Sequence, residues 1–394
     1  MNDQIVIAGM ARTPQGGLQG DLSSVLAPQL GAIAVKAALA RADINPTEVD
    51  ETIMGCVLPA GLRQAPARQA SIGAGIPVNT GCTTVNKMCG SAMKAVMLGF
   101  DAIRAGSADC IVAGGMESMS NAPYLVLKAR SGLRLGHGEM VDHMFFDGLE
   151  DAYDQGKLMG SFAEDCASKY GFSREMQDAY AIESLMRAQQ AIREGKFKDE
   201  IIPVVIKTRK GEVTVDTDEQ PGKAKIDKIP TLKPAFAKNG TVTPANSSSI
   251  SDGAAALVLL REGDAETRGL MPSALLRAHS SHAQEPGWFT TAPVGAIKKV
   301  LEKTGWTVAD VDLFEVNEAF AVVAMAAMQE LQIPHNKLNV NGGACALGHP
   351  IGASGARIMV TLIAALKDRG LKRGVASLCI GGGEATAVAL ELIR

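Results

Sequence analysis

A basic excess is missing from this chain. Its 39 Lys and Arg residues stand against 42 Asp and Glu, a formal net charge of -3. A nucleic-acid-binding face carries such an excess, so that class is set aside. No apolar run reaches the roughly 18 residues of a membrane-spanning helix. Aromatic residues are scarce, at 4%. The core must therefore be built from Ala, Val, Leu, Ile and Met. There is no CxxC knuckle, and the seven cysteines are scattered at 56, 82, 89, 110, 166, 345 and 379. Such spacing is neither a disulfide framework nor a structural zinc site. GxxxxGK[ST] is absent, and no GxGxxG stands between a first strand and helix, so neither phosphate-binding fingerprint is present. His279 and His282 are a weak metal pair without a third ligand at a diagnostic spacing. The N-terminus, MNDQIVIAGMARTP, lacks a basic segment followed by a long apolar stretch. The expectation is a reducing, cytoplasmic setting.

What is present is a long, apolar, glycine-rich sequence: 394 residues, 46% hydrophobic, with 42 glycines. The length suggests two or three packing units. Residues 3–9 read as a strand ended near Gly9, 28–42 as a helix, and 49–57 as a strand. A small-residue helix is expected over 89–105. The continuous apolar run at 107–115 suits a strand covered on both faces.

This rhythm recurs near the C-terminus. Val35 falls on Ile297, Leu39 on Leu301, Ile44 on Trp306 and Asp50 on Asp312, all at an offset of 262. Ala113–Gly114–Gly115 falls on Gly381–Gly382–Gly383 at an offset of 268. Two ordered matches imply related halves, with a short loop insertion accounting for the drift. Between them, 120–248 reads as a long insertion. It holds a helix at 173–194 capped by Ser173 and ended by Gly195, and a hairpin in TRKGEVTVDTDEQPG. The expected domains are 1–119 with 249–270, the insert 120–248, and 271–394.

Four short segments carry chemistry. Cys89, in GCTTVNKMCGSAMK, precedes a helix whose N-terminal amides favour a thiolate. His349, in NVNGGACALGHPIGASG, sits on a constrained loop and suits proton transfer. Cys379 ends a strand beside Gly381–Gly383, whose amides are open. NEAF places Asn317 and Glu318 at a strand end, where a buried amide needs partners. Each has a plainer reading: a packed cysteine for Cys89 and Cys379, a loop-bonded histidine for His349, a turn or helix cap for NEAF.

Taken together, VNKMCGSAM (85–93), AGGMESMS (113–120), NEAF (317–320), NGGACALGHPIGASG (341–355) and CIGGG (379–383) resemble the thiolase family over essentially the whole chain. The resemblance implies a duplicated five-layered α/β fold with an inserted loop domain. It implies action on acyl-CoA thioesters without a prosthetic group or metal, and a homodimer or homotetramer; residues 130–137 resemble a tetramer-contact region. It further implies that Cys89 is the acylated nucleophile, His349 its base, and Cys379 the acid/base at the α-carbon. Asn317 would orient a water at one oxyanion site, with His349. The amides of Cys89 and Gly381 would form the other. Ser248, Phe236, Met159–Gly160 and Ala319 match positions lining the pantetheine and acyl channel.

Leu158 departs from the His that short-chain biosynthetic members commonly place before Met–Gly. It makes that wall more apolar. The leading expectation is an acetyl-CoA C-acetyltransferase joining two acetyl-CoA to acetoacetyl-CoA and CoA. A broader 3-ketoacyl-CoA thiolase of β-oxidation is the rival, and a non-catalytic acyl-CoA or lipid carrier is the alternative from another class.

Overall fold

The computed structural model describes residues 4–393. Asp3, where the first expected strand begins, lies outside them. The N-terminal half contributes strands β1 (Ile5–Arg12), β2 (Glu51–Gly55), β3 (Gly81–Val85) and β4 (Cys110–Ser118), with helices α1 (Ala27–Ala42), α2 (Pro66–Gly73) and α3 (Ser91–Ala105). The chain then leaves the sheet for helices α4 (Met159–Tyr170) and α5 (Arg174–Arg193) and a hairpin, Val204–Thr208 with Gly211–Val215. It returns as β5 (Ser251–Arg261) and continues through β6 (Ala274–Ala283), α6 (Ala292–Thr304), β7 (Leu313–Val316), α7 (Ala321–Leu331), α8 (Ser354–Asp368), β8 (Arg373–Ile380) and β9 (Glu384–Leu392).

These strands run in the order β3-β2-β4-β5-β1-β6-β9-β8-β7. The two halves meet where β1 pairs β6 antiparallel, with Val6 opposite Leu275. Register reveals the duplication. Ile7, Leu259, Ile111 and Glu51 lie side by side across one half. Leu276, Leu390, Gly374 and Leu313 do so across the other. Even the bulges correspond, between Ile7 and Gly9 and between Leu276 and Ala278. The C-terminal counterpart of edge strand β3 is reduced to one parallel bridge, Phe314 to Leu338.

This pairing corrects the second sequence alignment. Ile111 corresponds to Gly374, and Ser91 at the start of α3 to Ser354 at the start of α8, both at an offset of 263. There is no six-residue drift. Gly114 and Gly115 lie inside β4, where a Cβ on Gly114 would meet the Ala255 carbonyl at 2.1 Å; Gly381–Gly383 form the β8–β9 turn. The two glycine runs serve different needs.

Three apolar clusters separate the layers. One packs α1 and α2 on the outer face of the N-terminal strands, and another packs α6 and α7 on the outer face of the C-terminal strands. The third places α3 and α8 between the two sets of strands. A helix with apolar contacts on both sides is buried around most of its circumference; α8, from Ser354 through Ala365, is buried except at Ala364.

The expected strand ends moved for physical reasons. β1 runs past Gly9 to Arg12, because Arg12 is itself buried, bridging Glu200 and Asp218 of the insert at 2.7 Å each. Gly9 is required by α1 instead: a Cβ there would lie 2.4 Å from the Ala38 carbonyl. β4 is buried at every position, between β5 and β2. In the insert, α5 begins after Ser173, whose Oγ accepts the Met176 amide at 3.3 Å, and Gly195 follows it at φ +71. The hairpin turns at Thr208–Gly211, earlier than expected, so its first strand includes Val204–Ile206.

Candidate active site

Cys89 stands on a tight elbow between edge strand β3 and α3. Met88 has φ +46, a left-handed conformation that strains a non-glycine residue. The elbow is held from within. Ser91 Oγ accepts the Lys87 amide at 2.8 Å and donates to the Met88 carbonyl at 2.6 Å, while Asn86 Oδ1 accepts the Met88 amide at 3.0 Å. Gly90 is needed because a Cβ would sit 2.4 Å from Ile380 Cδ1. That close approach brings the nucleophile loop against the β8–β9 turn.

Cys379 lies at the end of β8, fully buried and paired with Ala385 of β9. The backbone amides of Gly381 and of Cys89 itself favour the Cys89 thiolate. The two thiols are close enough that charge on Cys89 disfavours charge on Cys379. Burial dominates both. It pushes the Cys89 thiol up to about 11, against the pull of the two amides, and Cys379 well above the ordinary thiol range. The helix-terminal amides are present, but removal from water outweighs them.

His349 is fixed by its own loop. Its amide donates to the Ser249 carbonyl at 3.1 Å, and its Nδ1 lies 2.6 Å from Ser354 Oγ. Ser354 Oγ donates to the Pro350 carbonyl at 3.0 Å, so Nδ1 carries the ring proton and Nε2 keeps its lone pair. Nε2 is buried without a hydrogen-bond partner. Burial, then the Arg357 guanidinium, hold the imidazole down to about 3. Asn317 lies between these groups, with Nδ2 3.4 Å from His349 Nδ1 and Oδ1 3.4 Å from Arg357 Nη2. Ile351, two residues beyond His349, packs with Cys89 and Met88 in one small apolar cluster.

The depressed imidazole has a measurable consequence. Between about pH 6.5 and its folded value, the unfolded chain binds a proton at this position and the folded chain does not. This contribution therefore destabilises the protein as pH falls below about 6.5, by about 1.4 kcal/mol per unit. Urea unfolding of the wild type and His349→Asn at about pH 7 and pH 5 tests this. The variant is expected to lose about 2 kcal/mol less on acidification. Equal losses contradict a buried neutral ring.

The remaining positions fall into a neighbouring group. Ala319 is buried, and its carbonyl accepts the Ser248 amide at 2.9 Å. The Phe236 ring meets Phe320 edge-on, centroids 6.1 Å apart, and covers Gly160, where a Cβ would lie 2.3 Å from it. Met159 Sδ packs toward Gly381. Leu158 precedes α4, and its backbone bridges Glu150. A cavity of about 240 Å³ opens beside these residues, lined by Lys225, Lys228, Leu232, Ser249 and Cys345 among others.

Several supporting residues carried no assigned role in the sequence. Glu117, within AGGMESMS, accepts the amides of Val57 and Gly352 at 2.9 Å and of Leu58 at 3.2 Å, tying the loop after β2 to the His349 loop. Burial raises its carboxyl to about 7. Glu318 accepts from Tyr180 Oη, Ser184 Oγ and Asn339 Nδ2 at 2.9, 2.7 and 2.8 Å, and so joins α5 to NEAF. Ser354 and Arg357 stand behind His349 and Asn317. Glu117, Glu318 and Ser354 lie inside quoted family motifs, but only polarity within an apolar segment pointed to Arg357. His279 and His282 engage Asp101 and Gln284 at 2.9 and 3.0 Å, and no group of three His, Cys, Asp or Glu among the described residues could hold a metal ion.

Comparison with known proteins agrees with this arrangement. The thiolase N-terminal domain matches residues 5–263, and the thiolase C-terminal domain residues 270–392. Acetyl-CoA acetyltransferase 2 of Arabidopsis thaliana is 51% identical over 392 residues, covering 99% of this chain and 97% of that protein. A probable acetyl-CoA acetyltransferase of Dictyostelium discoideum is 49% identical, covering 99% and 94%. The acetyl-CoA acetyltransferase of Cupriavidus necator is 49% identical, covering 98% and 99%. With both domains matched end to end and two thiols brought together by the two halves, the chain belongs to the thiolase family.

Proposed function

We propose that the protein is an acetyl-CoA C-acetyltransferase, reversibly condensing two acetyl-CoA to acetoacetyl-CoA and CoA. The observation that carries this reading is the meeting of the Cys89 elbow with the end of β8 that bears Cys379, where a Cβ on Gly90 would lie 2.4 Å from Ile380 Cδ1, with the amides of Cys89 and Gly381 favouring the Cys89 thiolate. Relatives named as acetyl-CoA acetyltransferases, at about half identity over nearly the whole chain, support the same choice.

In the resting site thiol and imidazole are both neutral. A proton passes from Cys89 to His349 Nε2 as the sulfur attacks the thioester carbonyl, because negative charge then moves onto the carbonyl oxygen. The Cys89 and Gly381 amides receive that charge. CoA leaves as the thiol with a proton from Cys379, and Cys89 holds the acetyl group. Cys379 next takes the α-proton of the second acetyl-CoA. Asn317, through a water, and His349 hold the enolate oxygen. The new carbanion attacks acetyl-Cys89, a carbon–carbon bond forms, and the Cys89 sulfur is released. Two groups are needed because the nucleophile is occupied while the carbon-bound proton must move.

The chain-length range decides between this reading and a broader 3-ketoacyl-CoA thiolase, which the apolar Leu158 favours. The expected kcat/KM is highest for acetoacetyl-CoA among acetoacetyl-, 3-ketohexanoyl- and 3-ketodecanoyl-CoA. A clear preference for the longer chains selects the rival. CoA binding without turnover of any of them selects the carrier.

The cavity lined by Ser249, next to Ser248, suits the pantetheine arm, with Lys225 and Lys228 available to the phosphates. Ser248→Ala is expected to weaken CoA binding about two- to tenfold, as loss of one neutral hydrogen bond does, with kcat nearly unchanged. Titration calorimetry and steady-state kinetics read the two effects separately.

The insert 120–248 is best treated as a separate domain laid over this site. We further take the working unit as a homodimer or a larger homo-oligomer in a reducing, cytoplasmic setting. All seven cysteines are free, and no helix among the described residues is long and apolar enough to cross a membrane. β4, over 110–118, does not motivate assembly, since it is buried within one chain. Edge strand β3 does: it pairs only with β2 and leaves a free row of backbone groups. Light scattering at micromolar concentration is expected to give at least twice the chain mass.

A further inference from the structure

The two cysteine-bearing loops come from opposite halves, and their separation sets how closely the Gly381 amide approaches Cys89. Their apolar contact is Gly90 against Ile380, and from the insert Met159 packs against Gly381. The β8–β9 turn is poorly equipped to hold its own place. Gly381, Gly382 and Gly383 have no side chains, and the last two adopt φ +93 and +90. On one side the turn is fastened by the Gln284 amide, which donates to the Gly383 carbonyl at 2.8 Å. The first side chain after the turn is Glu384, opposite Ile380 in the hairpin. Its carboxylate is ion-paired with the Lys87 ammonium, two residues before the nucleophile. The Lys87 backbone is itself fixed, its amide by Ser91 Oγ and its carbonyl by the Gly90 amide at 3.0 Å.

We propose that Lys87 and Glu384 are positioning residues, a charged clasp between the halves that holds the β8–β9 glycine turn against the Cys89 elbow. Neither touches the reacting atoms. The pair is only partly exposed, with side chains 24% and 36% accessible, so solvent screens it incompletely. Breaking it frees the glycine turn to draw back. The amide then stabilises both the Cys89 thiolate and the oxyanion less well, and small misplacements of such donors have large kinetic effects. The kinetic part of this inference rests on the thiolase reaction proposed above; the ion pair joining the two loops does not.

Lys87→Met, Glu384→Gln and the exchanged pair Lys87→Glu/Glu384→Lys test it. Two readouts are used on the full-length protein: turnover with acetoacetyl-CoA and CoA, and the pH dependence of Cys89 alkylation by iodoacetamide, mapped by mass spectrometry. Each single variant is expected to lower kcat about fivefold with KM for CoA within about twofold, and to shift the alkylation midpoint upward. The exchanged pair is expected to return both readouts to within about twofold of the wild type. Wild-type behaviour in the single variants, or an exchanged pair no better than either one, overturns the clasp. A single variant that fails to fold leaves the other and the exchanged pair to decide. Alkylation needs no acyl-CoA, so a wild type without thiolase turnover overturns the proposed reaction while the alkylation series still decides the clasp.

Discussion

Cys89→Ala leaves no acyl-enzyme and lowers turnover by about four orders of magnitude or more. Removal of a covalent nucleophile has effects of this size because no other group can take its step. Cys379 is the nearest candidate, but it is buried at the end of β8, and burial holds its thiol well above the ordinary range. The Gly381 amide that would receive the charge favours the Cys89 thiolate. Stopped-flow release of CoA from acetyl-CoA, with and without the substitution, measures the loss. Alanine removes only the sulfur from a position where small residues are already required around Gly90, so the fold is expected to persist.

Cys379→Ala has the opposite signature. Acetyl transfer to Cys89 continues, because His349 accepts that proton, though about tenfold more slowly without a donor for departing CoA. Condensation falls by about three orders of magnitude, within the range for a lost general base. No other group stands ready to replace it, because in the proposed sequence the His349 imidazole already holds the Cys89 proton when the second acetyl-CoA reacts. Exchange of deuterium into the acetyl methyl of acetyl-CoA separates the cases. The wild type exchanges, whereas the variant acetylates Cys89 without exchanging.

Local features were readable because each announces itself within a few residues. Ser173 before α5, Gly195 after it and the unbroken apolar run of β4 all depend on neighbours in sequence. The family motifs likewise placed Cys89, Cys379, His349 and Asn317. What escaped were properties set by distant packing. Gly114–Gly115 and Gly381–Gly383 look alike as letters, yet one pair admits a neighbouring strand and the other run turns a hairpin, so aligning them gave a false offset. The start of a helix after Cys89 was legible; the packing of Met88 and Ile351 around its half-buried thiol was not. Lys87 and Glu384 are separated by 297 positions, and nothing in either segment points to the other. Arg357 and Glu318 looked like ordinary helix and turn residues until Asn317 and α5 were placed against them.

The division of labour between the two thiols is the central claim, and peptide mapping after brief incubation with acetyl-CoA tests it most directly. One acetyl group is predicted on Cys89 in the wild type and in Cys379→Ala, and none in Cys89→Ala. An acetyl group on Cys379 of the wild type, with Cys89 unmodified, would contradict the account.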